Sequence, residues 1–232
     1  MLRWALNKLP ITSITPFTFQ DYPEHTACIL WFSGCNMACS YCHNPELVKG
    51  ELAKLPFEQV TEFLESRKGL LEGVVLSGGE CMMSAQLPEF VRYMKLLGFK
   101  VKVDTNGTNP DMLEKMLGEQ LIDYVALDYK APSDLFQSIT GFDGYTLFEQ
   151  SLKLLIASGV SLEIRTTLHA DLLEEEDINA ILKHLEILGF NGTYYLQNFR
   201  AEKTLGNIGI PLRHLNLDLL KKKNFPVIMR GF

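Results

Sequence analysis

The sequence lacks a long apolar run, an excess of positive charge and a low-complexity tract, and each absence excludes a class of protein. A membrane span needs about 20 consecutive apolar residues, and the longest informative apolar run covers only residues 28–32. The 232 residues carry 22 Lys and Arg against 28 Asp and Glu, a net charge of −6, which argues against a protein that lives on nucleic acid. Residues 1–8 show no secretory signal, so we expect a cytoplasmic protein with no membrane or nucleic-acid partner.

Cysteine is scarce, and its distribution is uneven. The chain has five Cys, an odd number that is poor evidence for a disulfide scaffold. Cys28 and Cys81 stand alone, whereas Cys35, Cys39 and Cys42 fall within one short stretch. Clustered Cys in a reducing compartment more often bind a metal or carry out redox chemistry, so this stretch is the first candidate for a functional site.

Apolar periodicity predicts strands and helices in regular alternation from residue 28 to the C-terminus. The predicted strands are 28–32, 74–76, 100–103, 124–127, 162–167 and 194–197, followed by a helix near 216–223 and a short strand at 227–229. This alternation predicts an α/β fold with a parallel sheet. Six units are too few for a closed eight-stranded barrel, so an open partial barrel competes with a doubly wound sheet. We expect a single domain over 1–232, with an N-terminal extension over about 1–27 and a core over about 28–232.

The spacing Cys35-x3-Cys39-x2-Cys42 lets one short loop place three thiolates around a metal centre. Structural zinc takes four ligands, for which His25 and His43 are the nearby candidates. A [4Fe–4S] cluster normally uses four Cys, so three Cys predict a cluster with one iron open to a small molecule. A structural zinc loop is the alternative.

Further polar motifs follow the predicted strands. They are Ser77-Gly78-Gly79-Glu80, Asp104-Thr105-Asn106-Gly107 and Asp128-Tyr129-Lys130, with Arg165 and Gln197 late in the fifth and sixth strands. Each alone is more readily a turn or a helix cap, but the carboxyl ends of parallel strands form the active-site face of α/β folds. We therefore expect these motifs to share one site. For Arg165, a buried ion pair with a carboxylate is an equal alternative to ligand contact.

Two of these stretches together resemble the motifs of radical S-adenosylmethionine (SAM) enzymes. Residues 35–42, CNMACSYC, match the C-x3-C-x-aromatic-C pattern of that superfamily, and residues 77–80, SGGE, match its glycine-rich motif. Over nearly the whole chain the sequence is similar to the activating enzymes of glycyl radical enzymes, above all to the anaerobic ribonucleoside-triphosphate reductase activating type. This second resemblance is carried by residues 21–23, 41–47, 104–107, 128–132, 165–167 and 196–200.

The resemblance implies an open partial (β/α)6 barrel, TIM-like and of the radical SAM type, and a set of site residues. Cys35, Cys39 and Cys42 would ligate a [4Fe–4S] cluster, and the amino and carboxylate groups of SAM would fill the open iron. The residues implied to bind SAM are Tyr41, Gly78, Gly79, Glu80, Asp104, Asp128, Lys130, Arg165 and Gln197. In this set, Glu80 would lie near the ammonium of SAM, Lys130 and Arg165 near its carboxylate, and the two Asp near the ribose or a monovalent cation.

The chain departs from the family pattern at two positions. Pro usually follows the Gly-Gly-Glu sequence, where this chain has Cys81, and Gly commonly follows Asp-Tyr-Pro, where this chain has Glu24. With Cys81 in place of Pro, the ligand-holding groups are still present, but the turn lacks the rigidity of a Pro. It is either a buried small residue or a residue close to the cofactor, whereas Cys28 belongs to the core.

The activity implied by the resemblance is that of a radical SAM oxidoreductase, which cleaves SAM reductively to a 5′-deoxyadenosyl radical. That radical would take hydrogen from a backbone glycine of a partner enzyme, in the first place anaerobic ribonucleoside-triphosphate reductase. A low-potential donor such as flavodoxin or ferredoxin would supply the electron. The alternatives are an activating enzyme of the pyruvate formate-lyase type, a radical SAM enzyme for a small molecule, and a non-catalytic metal-binding regulator.

Overall fold

The structure, a computed structural model, describes residues 9–232 and divides them into two compact units. The first unit comprises residues 9–36, 46–105 and 111–125, and the second comprises Met37–Pro45, Asn106–Pro110 and Ala126–Phe232. Residues 1–8, in which the sequence predicts no secretory signal, lie outside the described part.

Strands and helices alternate from β2 onward, as the periodicity predicts. The strands are β1 (Ile11–Thr18), β2 (Ala27–Phe32), β3 (Gly73–Gly78), β4 (Lys100–Thr105), β5 (Tyr124–Asp128), β6 (Ser161–Leu168), β7 (Thr193–Asn198) and β8 (Val227–Arg230). The helices are α1 (Pro45–Lys49), α2 (Phe57–Arg67), α3 (Leu87–Leu96), α4 (Pro110–Gly118), α5 (Ser133–Thr140), α6 (Tyr145–Ser158) and α7 (Glu175–Ile187). Within residues 9–232, no helix has the length and apolar character needed to cross a membrane.

In the first unit the strand order follows the chain. β2 pairs in parallel with β3, and β3 pairs in parallel with β4. Val74, Val75 and Leu76 are fully buried, so both faces of β3 are covered, as expected of a strand inside a parallel α/β sheet. Cys28 in β2 is likewise fully buried, which confirms it as a core residue.

The antiparallel strand β1 was not predicted. It pairs with β2 through residues such as Ile14 opposite Leu30, and it lies in the stretch that the sequence assigned to an extension. Its sequence carries a weak signal, because Ile11 is its one buried residue and Pro16 cannot donate to a ladder. Such a strand suits the edge of a sheet and is difficult to recognise before its partner is known.

The second unit contains a parallel set of strands, β6–β7–β8. Helix α7 begins with a capping box in which Glu174 and Asp177 exchange hydrogen bonds with each other's backbone amides. Its buried positions include Ile178, Ile181 and Leu185, which lie on one face of the helix.

The helix predicted near residues 216–223 is wrong, since the structure shows a single 3₁₀ turn, Leu217–Leu219. The side chain of Asn216 accepts the amide of Asp218, and the side chain of Asn179 bonds the carbonyl of Leu219 and the amide of Lys221. These side-chain bonds satisfy backbone groups that a helix would otherwise pair internally. The segment is therefore held by α7 rather than by its own helical hydrogen bonds.

We predict that Gly73→Ala destabilises the first unit. A Cβ at residue 73 would stand 2.7 Å from the ring of Tyr22, which is 2% exposed and has no room to move. Overpacking of this kind costs about 1–3 kcal/mol, so the urea midpoint should fall. The matched control is Gly118→Ala at the end of α4, where a Cβ meets nothing within 4 Å and the helix should gain up to about 1 kcal/mol. Equal stability of the two variants would contradict this account of Tyr22.

Candidate functional site

The Gly-Gly-Glu turn after β3 packs its backbone directly on the residues that precede Cys35. Gly78 has φ +123°, and a Cβ at Gly78 or Gly79 would collide with backbone atoms of Phe32 or Gly34. The amide of Gly79 donates to the carbonyl of Phe32 at 2.8 Å, and the amide of Glu80 donates to that of Gly34 at 2.8 Å. Two glycines are thus required for close backbone approach, and this packing sets where Cys35 begins its loop.

Glu80 is buried and well satisfied. Its carboxylate, in a residue 2% exposed, accepts the amide of Met82 at 3.0 Å and the hydroxyl of Thr105 at 2.9 Å. Its neighbour Cys81 is 1% exposed, with its thiol directed at the carbonyls of Leu76 and Asp104. Burial raises the pKa of the Cys81 thiol well above its ordinary value. Cys81 is thus a buried small residue, and its closeness to the cofactor stays a prediction.

Asp104, at the end of β4, lies beside a buried lysine that the sequence reading missed. The carboxylate of Asp104 accepts the hydroxyl of Ser77 at 3.0 Å, and the Nζ of Lys102 lies 3.5 Å from it. Lys102 is 2% exposed and also donates to the carbonyl of Asp21 at 2.5 Å. The sequence did carry a signal for this pair, because Lys102 stands between two valines of a buried strand, where a charge needs a partner. Lys102 also lies two residues before Asp104 and therefore on the same face of the strand.

The second unit holds the rest of the Cys loop. Cys39 is 6% exposed and Tyr41 is 4% exposed, and the amide of Cys42 donates to the carbonyl of Cys39 in a tight turn. Burial raises the pKa of the Cys39 thiol, with the charge of Lys130 acting in the opposite direction. Among residues 9–232 the buried hydroxyl of Tyr41 has no hydrogen-bond partner, while the Nζ of Lys130 lies 5.8 Å from the centre of its ring.

Asp128 joins two of the predicted cations. Its carboxylate accepts Lys130 Nζ at 3.0 Å and Arg165 Nε at 2.9 Å. Burial opposes ionisation of this carboxyl, but Arg165 and Lys130 outweigh it and lower the pKa of Asp128 to about 2. Arg165 also lies 3.9 Å from Glu163, which is 1% exposed. Arg165 thus forms the ion pair expected of it, its contact with a ligand stays a prediction, and Glu163 is a charged partner that the sequence reading did not name.

Gln197 shares a face of the sheet with Arg165. In the parallel register of β6 and β7, Arg165 is opposite Tyr195 and Thr167 is opposite Gln197. Because residues two apart in a strand point to the same side, Arg165 and Gln197 point to the same side of the sheet. Gln197 itself is half-buried.

The five Cys form no disulfide within residues 9–232, so their thiols can serve as ligands. In residues 9–232, no three His, Cys, Asp or Glu side chains converge on a single ion. An iron–sulfur cluster does not need such convergence, because each thiolate binds a different iron. The imidazoles proposed for a zinc loop have other contacts: His25 packs edge-on against Tyr22, and His43 stacks on Phe199.

Comparison with known proteins gives consistent matches. The Radical SAM superfamily matches residues 29–188. A protein of Methanocaldococcus jannaschii, provisionally named a glycyl-radical enzyme activating enzyme, is 32% identical over 76% of this chain and 75% of its own length. The pyruvate formate-lyase-activating enzyme of Clostridium pasteurianum is 30% identical over 64% of either chain.

A solved structure, native anSMEcpe with bound AdoMet, superposes with a TM-score of 0.59 at 18% identity and covers 74% of this chain. The chain spans 51% of that structure and less than two thirds of the clostridial enzyme. The likeness confirms the α/β fold class of the partial-barrel type that was predicted.

We predict that Asp128→Asn lowers stability in a pH-dependent way. The carboxyl ionises near pH 4 in the unfolded chain and at about pH 2 in the folded protein. Because the folded pKa is depressed, the stabilisation is fully present above about pH 4 and is lost as the pH falls towards 2. Urea unfolding should show a difference from wild type of about 2 kcal/mol at pH 7 that shrinks across this window.

The exposed Asp143 provides the control. Asp143→Asn should change the unfolding free energy by less than about 0.5 kcal/mol at either pH. A wild-type advantage over Asp128→Asn that stays constant from pH 7 to pH 2 would refute the ion-pair account.

Proposed function

The chain belongs to the Radical SAM superfamily and, within it, to the glycyl-radical enzyme activating enzymes, and from this premise we propose its activity. It generates a glycyl radical on a partner enzyme by using SAM. The observation that carries the proposal is the 32% identity to the M. jannaschii protein, sustained over three quarters of both chains. We further propose that residues 1–232 form one radical SAM domain that acts in the cytoplasm, where the free thiols stay reduced.

The residues present fit the cofactors that this family uses, a [4Fe–4S] cluster and SAM. Three thiols that form no disulfide lie at the spacing of the family loop. The buried hydroxyl of Tyr41, without a protein partner among residues 9–232, is a polar group that a bound ligand would satisfy. The Gly78-Gly79 turn is held against Phe32 and Gly34 by backbone hydrogen bonds, which fixes the position of Glu80 next to it.

We assign the cluster to the three loop cysteines, Cys35, Cys39 and Cys42. Cys39 is the most protected of them, and a buried thiol ionises reluctantly by itself. Binding to iron compensates this cost, because metal ligation stabilises the thiolate. When bound, the cluster and SAM supply the electron and the 5′-deoxyadenosyl radical that removes hydrogen from a glycine of the partner.

We assign the carboxylate of SAM to Lys130 and Arg165. Asp128 binds both cations, with Lys130 Nζ at 3.0 Å and Arg165 Nε at 2.9 Å. Positively charged donors of this kind suit an anionic group. The ion pairs also fix the side chains in place before a ligand arrives, which reduces the entropy lost on binding.

Glu80 is assigned to the amino end of SAM. Glu80 is held by the Met82 amide and the Thr105 hydroxyl, so its carboxylate is oriented in advance for an ammonium group. Asp104, fixed by Ser77 and Lys102, is assigned to the ribose or a monovalent cation. Tyr41 and Gln197 complete the proposed set on the adenosine side.

The favoured partner is anaerobic ribonucleoside-triphosphate reductase, with a flavodoxin or ferredoxin as electron donor. The motif stretches around Asp21, Asp104 and Asp128 support this choice by their similarity to that activating type. A second candidate is pyruvate formate-lyase, which the 30% identity to the clostridial activating enzyme favours.

The test of the cluster uses two cysteine variants. After anaerobic reconstitution, wild type should bind about four iron per chain and show a reducible cluster by electron paramagnetic resonance. Cys39→Ala should lose this signal because one ligand is gone. Cys28→Ala also removes one thiol, but from the core of β2, and should keep the full iron content. An intact cluster in Cys39→Ala would overturn the proposal.

The test of the substrate compares two partner proteins. Reduced enzyme and SAM are incubated with anaerobic ribonucleotide reductase or with pyruvate formate-lyase, and the glycyl radical signal and 5′-deoxyadenosine are measured. A radical on the reductase supports the first choice, and one on the lyase alone supports the second. Formation of 5′-deoxyadenosine without a protein radical indicates a small-molecule substrate, and absence of 5′-deoxyadenosine under strong reductant favours a regulator.

A further inference from the structure

The loop that carries Cys39 and Cys42 is bound by a segment more than 150 residues further along the chain. The amide of Leu205 donates to the carbonyl of Cys42 at 2.9 Å, and the amide of Gly206 donates to the carbonyl of Ser40 at 2.8 Å. These carbonyls belong to, or lie between, the two Cys. Movement of the donors would therefore move the thiols.

The donor segment is itself built as a tight turn. Thr204 is 2% exposed, and its hydroxyl oxygen accepts the amide of Ile208 at 3.0 Å. The carbonyl of Thr204 accepts the amide of Asn207 at 3.2 Å. Because both bonds close within five residues, the two donor amides are held in place by the turn rather than by contact with the loop alone.

Aromatic contacts on both sides of the turn fix its position. Phe199 stacks on His43 with ring centres 5.3 Å apart, and the ring of His169 meets Phe199 edge-on at 4.7 Å. His169 accepts the amide of Asp171 at Nδ1, so its Nε2–H donates to the carbonyl of Gly209 at 3.0 Å. The chain is thus anchored before and after the turn.

Residue 206 has no space for a side chain. A Cβ at Gly206 would stand 2.7 Å from the Cβ of Ser40 and 2.9 Å from its Cα, distances that real contacts do not tolerate. Gly206 is not among the glycines with positive φ, so the conflict is purely steric. Gly209, three residues later, has open space around its Cα and likewise no positive φ.

We propose that residues 204–206 are a clamp that positions the cluster-binding loop, and that residue 206 must be glycine for the clamp to close on Ser40. The clamp fixes the backbone of Cys39–Cys42 at the spacing that the thiols need. It also satisfies two backbone carbonyls of the loop that would otherwise bind water. This inference rests on the proposed function, since it assigns a task within the same loop.

The test compares Gly206→Ala with Gly209→Ala in the full chain. After anaerobic reconstitution, iron release to an excess of chelator is followed by absorbance. Gly206→Ala should release iron about tenfold faster than wild type, since overpacking costs about 1–3 kcal/mol. Gly209→Ala should match wild type. If Gly206→Ala released iron at the same rate as wild type and Gly209→Ala, the clamp proposal would be wrong.

A second measurement needs no iron. Amide hydrogen exchange of Leu205 and Gly206 in the iron-free protein reports the two clamp bonds directly. These amides should be protected in wild type and in Gly209→Ala and should exchange faster in Gly206→Ala. Equal exchange in all three proteins refutes the clamp. If the wild-type protein binds no iron, the proposed function is wrong. The exchange measurement still tests the clamp in that case, because it uses the iron-free protein.

A milder variant covers the case in which Gly206→Ala fails to fold. Thr204→Val keeps the side-chain shape and removes the hydroxyl that accepts the Ile208 amide. Thr204→Val should accelerate both the exchange of the Gly206 amide and the release of iron, by a smaller factor than Gly206→Ala does. Wild-type behaviour of Thr204→Val in both measurements contradicts the proposed role of the turn.

Discussion

Backbone hydrogen bonds onto the Cys-bearing loop are the constraint on which the candidate site depends. In the first unit, Gly34 donates to Leu47 and accepts from Glu80 immediately before Cys35. In the second unit, Leu205 and its neighbour at 206 bind the carbonyls at residues 42 and 40, and Thr140 accepts the amide of residue 38. A loop without regular secondary structure satisfies its polar groups in this way. Close approach of the neighbouring chain explains why glycine stands at residues 79 and 206, whereas Gly34 is suited to its positive φ of +92°.

Charge compensation is the second requirement of the site. Asp128 keeps two cations in the second unit, and the partly exposed group stays ionised because both contacts are close. Lys102 has the corresponding task in the first unit, where it links Asp104 to the carbonyl of Asp21. Ion pairs of this kind contribute little net stability, but each charge is costly to leave unpaired. The pairs therefore hold these side chains in place more than they stabilise the fold.

The strands from β2 to β7 could be predicted because each is a short apolar run between polar turns. The motif residues follow these strands, so their placement at strand ends was predictable as well. β1 was missed because its pattern becomes clear only beside β2, and residues 216–223 were misread because Asn179 replaces helical hydrogen bonds there. Glu163 and Lys102 were missed because a charged residue within a strand reveals its partner only after the strands pair.

The sequence by itself determined the chemistry of this protein: three Cys at a fixed spacing, a Gly-Gly-Glu turn and the alternation of strands and helices. These features are local, since spacing and periodicity act over a few residues. The tertiary structure alone decided which groups meet. The ion pair of Asp128 with Arg165 joins residues 37 positions apart, and the contact of Gly206 with Ser40 joins residues still farther apart along the chain. Such contacts depend on strand register and on the path of a long loop, and neither can be recognised from a repeating pattern in the sequence.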